Sequence, residues 1–195
     1  MTNKKLTVIY IHGFNSSPLS HKSTQLRQWL KKWHPEIHIH IPALPIEPLE
    51  AIAQIEAIVK NTTGNIGLIG SSLGGFYAAF LAEKFDAPAV LINPAVRPFN
   101  TLSQHLGENK NYYDNKIDTL EQQHVDDLRM LFTEKHNNPQ RLLLMVQTAD
   151  QTLDYREATT HYWRIPAIIE YGGNHSFQNA ARFFPTMLQF LQNNT

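Results

Sequence analysis

A serine flanked by glycines is the first feature of this sequence that could do chemistry. Residues 70–74 read Gly-Ser-Ser-Leu-Gly and fit the pattern Gly-x-Ser-x-Gly, with Ser72 at the centre. An apolar run precedes them at 66–69, and residues 75–84 have the composition of a buried helix. In a turn between a strand and a helix, the serine hydroxyl stands exposed above the sheet and the glycines avoid steric clashes. This context favours Ser72 as a nucleophile.

Two other functions are compatible with a glycine-rich turn before a helix. A phosphate-binding loop needs Gly-Lys-Ser or Gly-Lys-Thr, but Phe76 follows Gly75, and the Gly-x-Gly of a dinucleotide site is absent. The second alternative is a plain helix cap, in which Ser71 or Ser72 satisfies amides of the first helical turn. That alternative stays open until partners for Ser72 are found.

A serine nucleophile needs a histidine base, and the base needs an acid that orients it. In proteins that carry this triad after a Gly-x-Ser-x-Gly turn, the chain order is serine, acid, histidine, each beyond a strand end. His175 fits the last position, because it follows the apolar run 167–171 and two glycines that permit a tight turn. Four other histidines lie in helical or inserted segments or lack a strand before them: His105, His124, His136 and His161.

Two aspartates follow the apolar run 142–146, where the acid of such a triad is expected. Asp150 is nearer to the strand end, whereas Asp154 precedes a helical stretch that it could cap. We therefore predict Asp150 as the acid. Asp154 is the alternative, and exchanging the two would leave the reaction unchanged.

Backbone amides near Ser72 could stabilise the negative charge that develops on an acyl oxygen. One is the amide of Leu73, at the positive end of its helix, and the second would come from the loop after the first strand. That loop reads His12-Gly13-Phe14, and we predict that Phe14 donates its amide while His12 holds the loop by hydrogen bonding. A simple turn is the alternative for this loop.

The strands that must position these residues are visible as short apolar runs. Five runs are continuous, which is typical of a parallel sheet covered on both faces: 6–11, 66–69, 89–92, 142–146 and 167–171. Residues 37–41 alternate instead, so we expect them at an edge of the sheet. Helical periodicity separates the runs, at Leu26, Trp29, Leu30 and Trp33, at Ile52, Ile55 and Val59, and at Phe184, Met187, Leu188 and Leu191. The predicted fold class is therefore α/β.

One stretch interrupts this alternation. Residues 95–139 contain no convincing strand and include a probable helix at about 120–135. Such an insertion, on the side where open α/β sheets bind ligands, could be a cap over a pocket. The alternative is a helical excursion that only covers the sheet.

Composition narrows the classes of partner. The chain has 195 residues, which suits a single domain at 1–195, and 17 basic residues balance 17 acidic ones. We expect no nucleic-acid or membrane partner, and the sequence does not predict the oligomeric state. Cysteine is absent, and the start of the chain is typical of a strand, not of a signal peptide, so we expect a cytoplasmic protein. His34, His38 and His40 lack nearby carboxylate or thiolate partners, so no metal or cofactor is predicted.

The motifs together resemble the α/β-hydrolase superfamily and, more closely, the bacterial YqiA-like esterase family. The closer resemblance rests on four segments: Tyr-Ile-His-Gly-Phe-Asn-Ser-Ser at 10–17, Gly-Ser-Ser-Leu-Gly-Gly-Phe-Tyr-Ala at 70–78, Asn-Pro-Ala-Val-Arg-Pro at 93–98 and Leu-Asp-Tyr at 153–155. It covers nearly the whole chain. Because little sequence precedes Leu6, the sheet should be an abridged form of the superfamily fold, with a helical cap insertion.

The resemblance implies a serine esterase with Ser72, Asp150 and His175 as the triad. Its expected substrates are carboxylic esters, and acyl thioesters could be a further class. His12, Gly13 and Arg97 are the residues expected to contact the substrate. Two alternatives remain open. The same triad could perform other acyl-transfer chemistry, as in a peptidase, lactonase or acyltransferase, or the fold could serve as a non-catalytic pocket for a small molecule.

Overall fold

The apolar runs of the sequence form the strands of one sheet. The computed structural model describes residues 5–113 and 115–195. In chain order the described strands are β1 (Leu6–Ile11), β2 (His38–His40), β3 (Asn65–Ser71), β4 (Ala89–Ile92), β5 (Gly107–Lys110), β6 (Ile117–Leu120), β7 (Leu142–Gln147) and β8 (Ala167–Glu170). All of them except β5 and β6 belong to a six-stranded parallel sheet in the order β2-β1-β3-β4-β7-β8.

Helices cover both faces of this sheet. In chain order they are α1 (His21–Trp33), α2 (Pro48–Asn61), α3 (Leu73–Phe85), α4 (Pro98–Leu102), α5 (Gln122–Met130), α6 (Tyr155–His161) and α7 (Phe184–Asn193). Successive side chains of β1 point to opposite faces, so Val8 and Tyr10 pack with α1 and α7, while Ile9 and Ile11 pack with α2 and α3. These two apolar clusters, separated by the sheet, confirm the predicted α/β architecture.

The edges of the sheet explain two details of the sequence pattern. β2 pairs with β1 alone, and its His38 and His40 are exposed, as the alternation at 37–41 predicts. β8 forms the other edge, where Ile169 is 54% exposed, although the continuous apolar run at 167–171 predicts burial on both faces. Hydrophobic composition identified this strand correctly but not its position at an edge.

Helix boundaries differ modestly from the periodic patterns. The periodicity in α1 includes Trp33, which is 60% exposed, so the apolar face of this helix ends at Leu30. Pro185 lies in the first turn of α7, where a missing amide hydrogen costs nothing, and so starts the helix without kinking it. Within the described residues, no helix has the length and apolarity needed to cross a membrane.

The insertion at 95–139 is more varied than its sequence predicts. It contains the short helix α4, the predicted helix in the reduced form α5, and an antiparallel hairpin of β5 and β6. The hairpin was not predicted, because β5 reads Gly-Glu-Asn-Lys and has neither the apolar nor the β-branched residues typical of strands. The chain after β5 approaches the loop that follows β1, where the Tyr112 amide donates to the Asn15 carbonyl.

Candidate active site

Ser72 occupies a strained turn between β3 and α3. Its φ of 57° and ψ of −122° are rare for a residue with a side chain. Two backbone hydrogen bonds fix the turn to the end of β4: Ser72 N donates to the Ile92 carbonyl, and Ala95 N donates to the Ser72 carbonyl. The turn thus holds the Ser72 side chain at the carboxyl edge of the sheet.

The glycines on both sides of Ser72 are required by close backbone contacts. A Cβ atom on Gly70 would lie 2.1 Å from the Gly74 carbonyl oxygen, and one on Gly74 would lie 2.1 Å from the Ile11 carbonyl oxygen. Such distances are far inside van der Waals contact, so larger residues would force the strand and the helix apart. The Gly-x-Ser-x-Gly pattern is therefore a packing requirement of this turn.

His175 reaches Ser72 from the loop after β8. Gly172 and Gly173 have φ values of 81° and 74°, which let the chain reverse directly after the strand. His175 Nε2 lies 3.0 Å from Ser72 Oγ, and His175 Nδ1 lies 2.8 Å from Asp150 Oδ2. The structure thus brings the three predicted side chains into one chain of hydrogen bonds.

The hydrogen bonds determine the proton positions in this chain. A carboxylate can only accept, so the Nδ1 of His175 donates to Asp150. In the neutral imidazole, Nε2 is then the acceptor for the Ser72 hydroxyl. The Asp150 side chain is 2% exposed, and its Oδ1 accepts from the amides of Thr152 and Leu153. These bonds fix the carboxylate, and the arrangement suits His175 to take the proton of Ser72.

Asp154 has a different local structure from Asp150. Its carboxylate accepts from the Arg156 amide at the start of α6 and forms an ion pair with the Arg156 guanidinium. These hydrogen bonds hold the pKa of the Asp154 carboxyl below its ordinary value. Asp154 is thus a helix cap, while Asp150 is the aspartate in contact with His175.

The loop after β1 lies directly against the nucleophile. Gly13 is so close to Ser72 that a Cβ atom built on it would lie 3.5 Å from Ser72 Oγ. Within the described part of the chain, the amides of Phe14 and Leu73 donate to no protein acceptor. Buried or half-buried amides without partners are available for a ligand oxygen, as an oxyanion hole requires.

His12 is buried beneath this loop. Its Nδ1 lies 3.0 Å from the Gly13 carbonyl oxygen, and its Nε2 accepts from the Leu44 amide at 3.3 Å. Burial lowers the pKa of His12, so the ring is neutral at pH 7. His12 therefore ties the loop after β1 to the loop after β2, although its ring also lines the pocket at Ser72.

The guanidinium of Arg97, a residue predicted to contact the substrate, has partners outside the pocket at Ser72. Its guanidinium pairs with Glu157 at 3.3 Å and lies over the ring of Phe132. Arg97 is absent from the described residues that line the pocket at Ser72. The partners of its charge lie on α6 and after α5, and its contact with the substrate remains a prediction.

A pocket of about 200 Å³ opens over Ser72 and His175. Its wall includes the loop after β1, the start of α1, and Tyr112 and Tyr113 from the hairpin connection. A smaller cavity of about 40 Å³ lies beyond Phe14, and both apolar and polar residues line it, among them Leu44, Leu73, Asn111 and Asp118. Both the pocket and the cavity thus combine polar and apolar residues in their walls.

Two buried amide side chains, which the sequence analysis did not identify, hold the loop of His175. Asn93 Nδ2 donates to the carbonyls of Asn174 and His175, and Asn93 Oδ1 accepts from the Gln147 amide. The Gln147 side chain, 1% exposed, accepts from the amides of Asn174 and Gln178. Their positions at the ends of β4 and β7 are the signal that could have identified them.

The histidines near the edge strand do not form a metal site. His38 and His40 are exposed, and His34 is half-buried with its Nδ1 3.4 Å from a carboxylate oxygen of Glu36. The expectation that these histidines have no carboxylate nearby is therefore wrong for His34. Among residues 5–113 and 115–195, no three potential ligands cluster closely enough to hold a metal ion.

Comparison with known proteins identifies a family and a fold. The model of the uncharacterised protein family UPF0227 matches residues 7–192. Est1E from Butyrivibrio proteoclasticus superposes with a TM-score of 0.73 at 14% identity, covering 98% of this chain and 89% of Est1E. The esterase domain of a Rhodothermus marinus protein gives 0.71 at 17% identity, covering 98% and 88%.

A mammalian structure has the same fold. Mouse alpha/beta hydrolase domain-containing protein 10 superposes with a TM-score of 0.73 at 14% identity, covering 100% of this chain and 93% of the mouse protein. At such low identity these similarities establish the fold alone. With the family match, they confirm the resemblance to the α/β-hydrolase superfamily and to the YqiA-like family.

Proposed function

We propose that this chain, which belongs to the uncharacterised protein family UPF0227, is a serine esterase that hydrolyses carboxylic esters. The observation that carries the proposal is the continuous hydrogen-bonded series Ser72, His175, Asp150 at the floor of a pocket. A helix cap alone would not require a histidine and a buried carboxylate behind the serine. The unpartnered amides beside Ser72 support the same chemistry.

Acylation begins with attack of Ser72 Oγ on the acyl carbon. His175 Nε2 takes the hydroxyl proton, and the carboxylate of Asp150 stabilises the imidazolium that forms. The amides of Phe14 and Leu73 donate to the oxyanion of the tetrahedral intermediate. His175 then gives the proton to the departing alcohol oxygen, and the acyl group remains on Ser72 as an ester.

Deacylation repeats these steps with water as the nucleophile. His175 takes a proton from the water as it attacks the acyl carbon, and the intermediate expels Ser72 Oγ, which regains its proton from His175. The products are a carboxylic acid and the free enzyme. An acyl thioester has the same acyl carbon and can follow the same route with a thiol as the leaving group.

The proposal is tested by the hydrolysis of nitrophenyl esters of increasing acyl length and of matching acyl thioesters. We expect the parent protein to turn over part of the series and Ser72→Ala to lose about 10⁴-fold or more in kcat, because triad members act as a unit. Ser103→Ala removes an exposed serine hydroxyl and should retain activity to within about twofold.

Two results would contradict the proposal. Equal activity of Ser72→Ala and the parent would show that Ser72 is not the nucleophile. A parent protein inactive on every ester and thioester would instead favour a non-catalytic binding function for the pocket.

A further inference from the structure

Lys22 introduces a positive charge into the wall of the candidate active site. It is the second residue of α1, and its partly buried side chain lines the pocket with Ser72 and His175. Lys22 Nζ donates to the carbonyl of Ser176 at 2.8 Å. Because Ser176 directly follows His175, this bond fixes the ammonium group on the histidine side of the pocket.

The charge of Lys22 is only partly compensated by the protein. Among the described residues, no carboxylate lies within ion-pair distance of Lys22 Nζ. Burial lowers the pKa of Lys22 to about 8, although the nearby carboxylate of Asp150 favours the charged form. At pH 7 the side chain is thus a cation with two unused donor positions, in a site that a ligand can enter.

The role of His175 as proton donor to the leaving group indicates which part of a substrate would contact Lys22. His175 must protonate the departing oxygen, so the leaving group lies on the histidine side of the scissile bond. That side continues from the pocket into an open cleft of about 670 Å³, and the two share His21, Lys22 and Ser176. The cavity beyond Phe14 shares none of these three residues, so it does not lie along the path toward Lys22.

We infer that Lys22 binds an anionic group, a carboxylate or a phosphate, on the alcohol or thiol part of the substrate. This inference rests on the proposed esterase function and specifies its substrate class: esters whose leaving group carries a negative charge. The anion forms a charge-assisted hydrogen bond with Lys22 Nζ and replaces water there. Neutral esters lack this contact and depend on the triad and the rest of the pocket.

Two matched pairs of butyryl esters test the inference, with butyrate release as the readout. The carboxylate pair is butyryl glycolate and butyryl glycolamide, and the phosphate pair is 1-butyrylglycerol 3-phosphate and 1-butyrylglycerol. Lys22→Met should lower kcat/KM for an anionic member by about tenfold or more, mainly through KM, since a hydrogen bond to a charged group is lost. Its effect on the neutral members should stay within about twofold.

Two further variants serve as controls. Lys22→Arg retains the charge and should keep most of the preference for the anionic ester. Lys31→Met removes an exposed lysine from the same helix and should change neither member of a pair. A selective loss in only one pair identifies whether the anion is a carboxylate or a phosphate.

Equal losses on both members of each pair would overturn the inference, because Lys22 would then only support the loop of His175. No loss on any ester would overturn it as well. If the parent hydrolyses none of the four esters, calorimetry of butyryl glycolate and 1-butyrylglycerol 3-phosphate decides the inference, while the nitrophenyl ester and thioester series decides the esterase proposal separately. Binding to the parent that Lys22→Met abolishes would uphold the anion site, and equal or absent binding would refute it.

Discussion

Asp150 and Asp154 are the same residue type four positions apart, and their local structures give them different roles. Asp150 is buried at the end of β7 and accepts hydrogen bonds from two amides and from His175. Asp154 is exposed and caps α6 together with its ion pair to Arg156. The chemistry at this site therefore depends on where an aspartate lies relative to the strand end.

Because of this difference, we expect the same substitution to abolish most of the esterase activity at Asp150 and to leave it nearly unchanged at Asp154. Asp150→Asn should lower kcat for a nitrophenyl ester by about 10³- to 10⁴-fold, because an amide that donates to Nδ1 leaves the proton on Nε2, which cannot then accept from Ser72. Asp154→Asn keeps a good capping side chain and should retain activity to within about twofold. A loss confined to Asp154→Asn would reverse the assignment.

At the scale of elements, the loop that carries His175 is held by the ends of two neighbouring strands. Asn93 follows β4 and binds the carbonyls of Asn174 and His175 through its side-chain amide. Gln147 ends β7 and accepts from the amides of Asn174 and Gln178. The sheet thus positions the histidine through side-chain amides that take no part in the reaction.

Removal of the Asn93 side chain should loosen this loop. Asn93→Gly retains access to the observed φ of 39° but removes the partners of the Gln147 amide and of the His175 carbonyl, while the Asn174 carbonyl still accepts from the Phe177 amide. We therefore expect a loss of about 1–3 kcal/mol in the free energy of unfolding. We also expect kcat/KM to fall about 10- to 100-fold through misplacement of His175. Chemical unfolding and ester hydrolysis measure the two effects.

An NMR measurement on His175 distinguishes a positioning role of Asn93 from a purely structural one. The proton on His175 Nδ1 in the bond to Asp150 should give a downfield NMR resonance, and Asn93→Gly should broaden or shift it while the protein remains folded. Asn115→Gly changes an exposed asparagine that also has a positive φ, of 61°, and is the matched control. An unchanged resonance with full activity in Asn93→Gly would refute the positioning role.

The sequence predicted those elements whose patterns are local. The continuous apolar runs and the Gly-x-Ser-x-Gly turn located β1, β3, β4 and β7 and the helix after Ser72. The hairpin of β5 and β6 was missed because polar residues form most of it, and its strands depend on pairing with each other. Tyr112 and Tyr113 reach the pocket through this hairpin, so their position could not be deduced from spacing.

At the scale of the whole molecule, the order of the sheet assembles the site. The strand order β2-β1-β3-β4-β7-β8 is parallel throughout, so the loops after β1, β3, β7 and β8 emerge at one edge. Gly13, Ser72, Asp150 and His175 each lie in one of these loops. Ligand sites of parallel α/β sheets lie at the carboxyl ends of the strands. The triad candidates could therefore be predicted from sequence, because each is close to the end of a recognisable strand.

The surroundings of Lys22 and Arg97 could not be predicted from their positions relative to strand ends. Lys22 lies on a helix and approaches the pocket through its side chain, and Arg97 follows β4 but turns its charge toward Glu157. No local sequence pattern shows that Lys22 lines the pocket and that Arg97 does not. Their roles depend on how the helices pack over the sheet edge, which is a property of the whole fold.

Whether Ser72 is the nucleophile can be measured from the mass of the intact protein after treatment with a nitrophenyl phosphonate. We predict a single adduct with release of one nitrophenol, located by peptide mapping at residues 71–72 and abolished by Ser72→Ala. Ser71→Ala should still carry the adduct, which distinguishes the two adjacent serines. An unmodified parent protein, or an adduct that persists in Ser72→Ala, would contradict the account of Ser72 as the nucleophile.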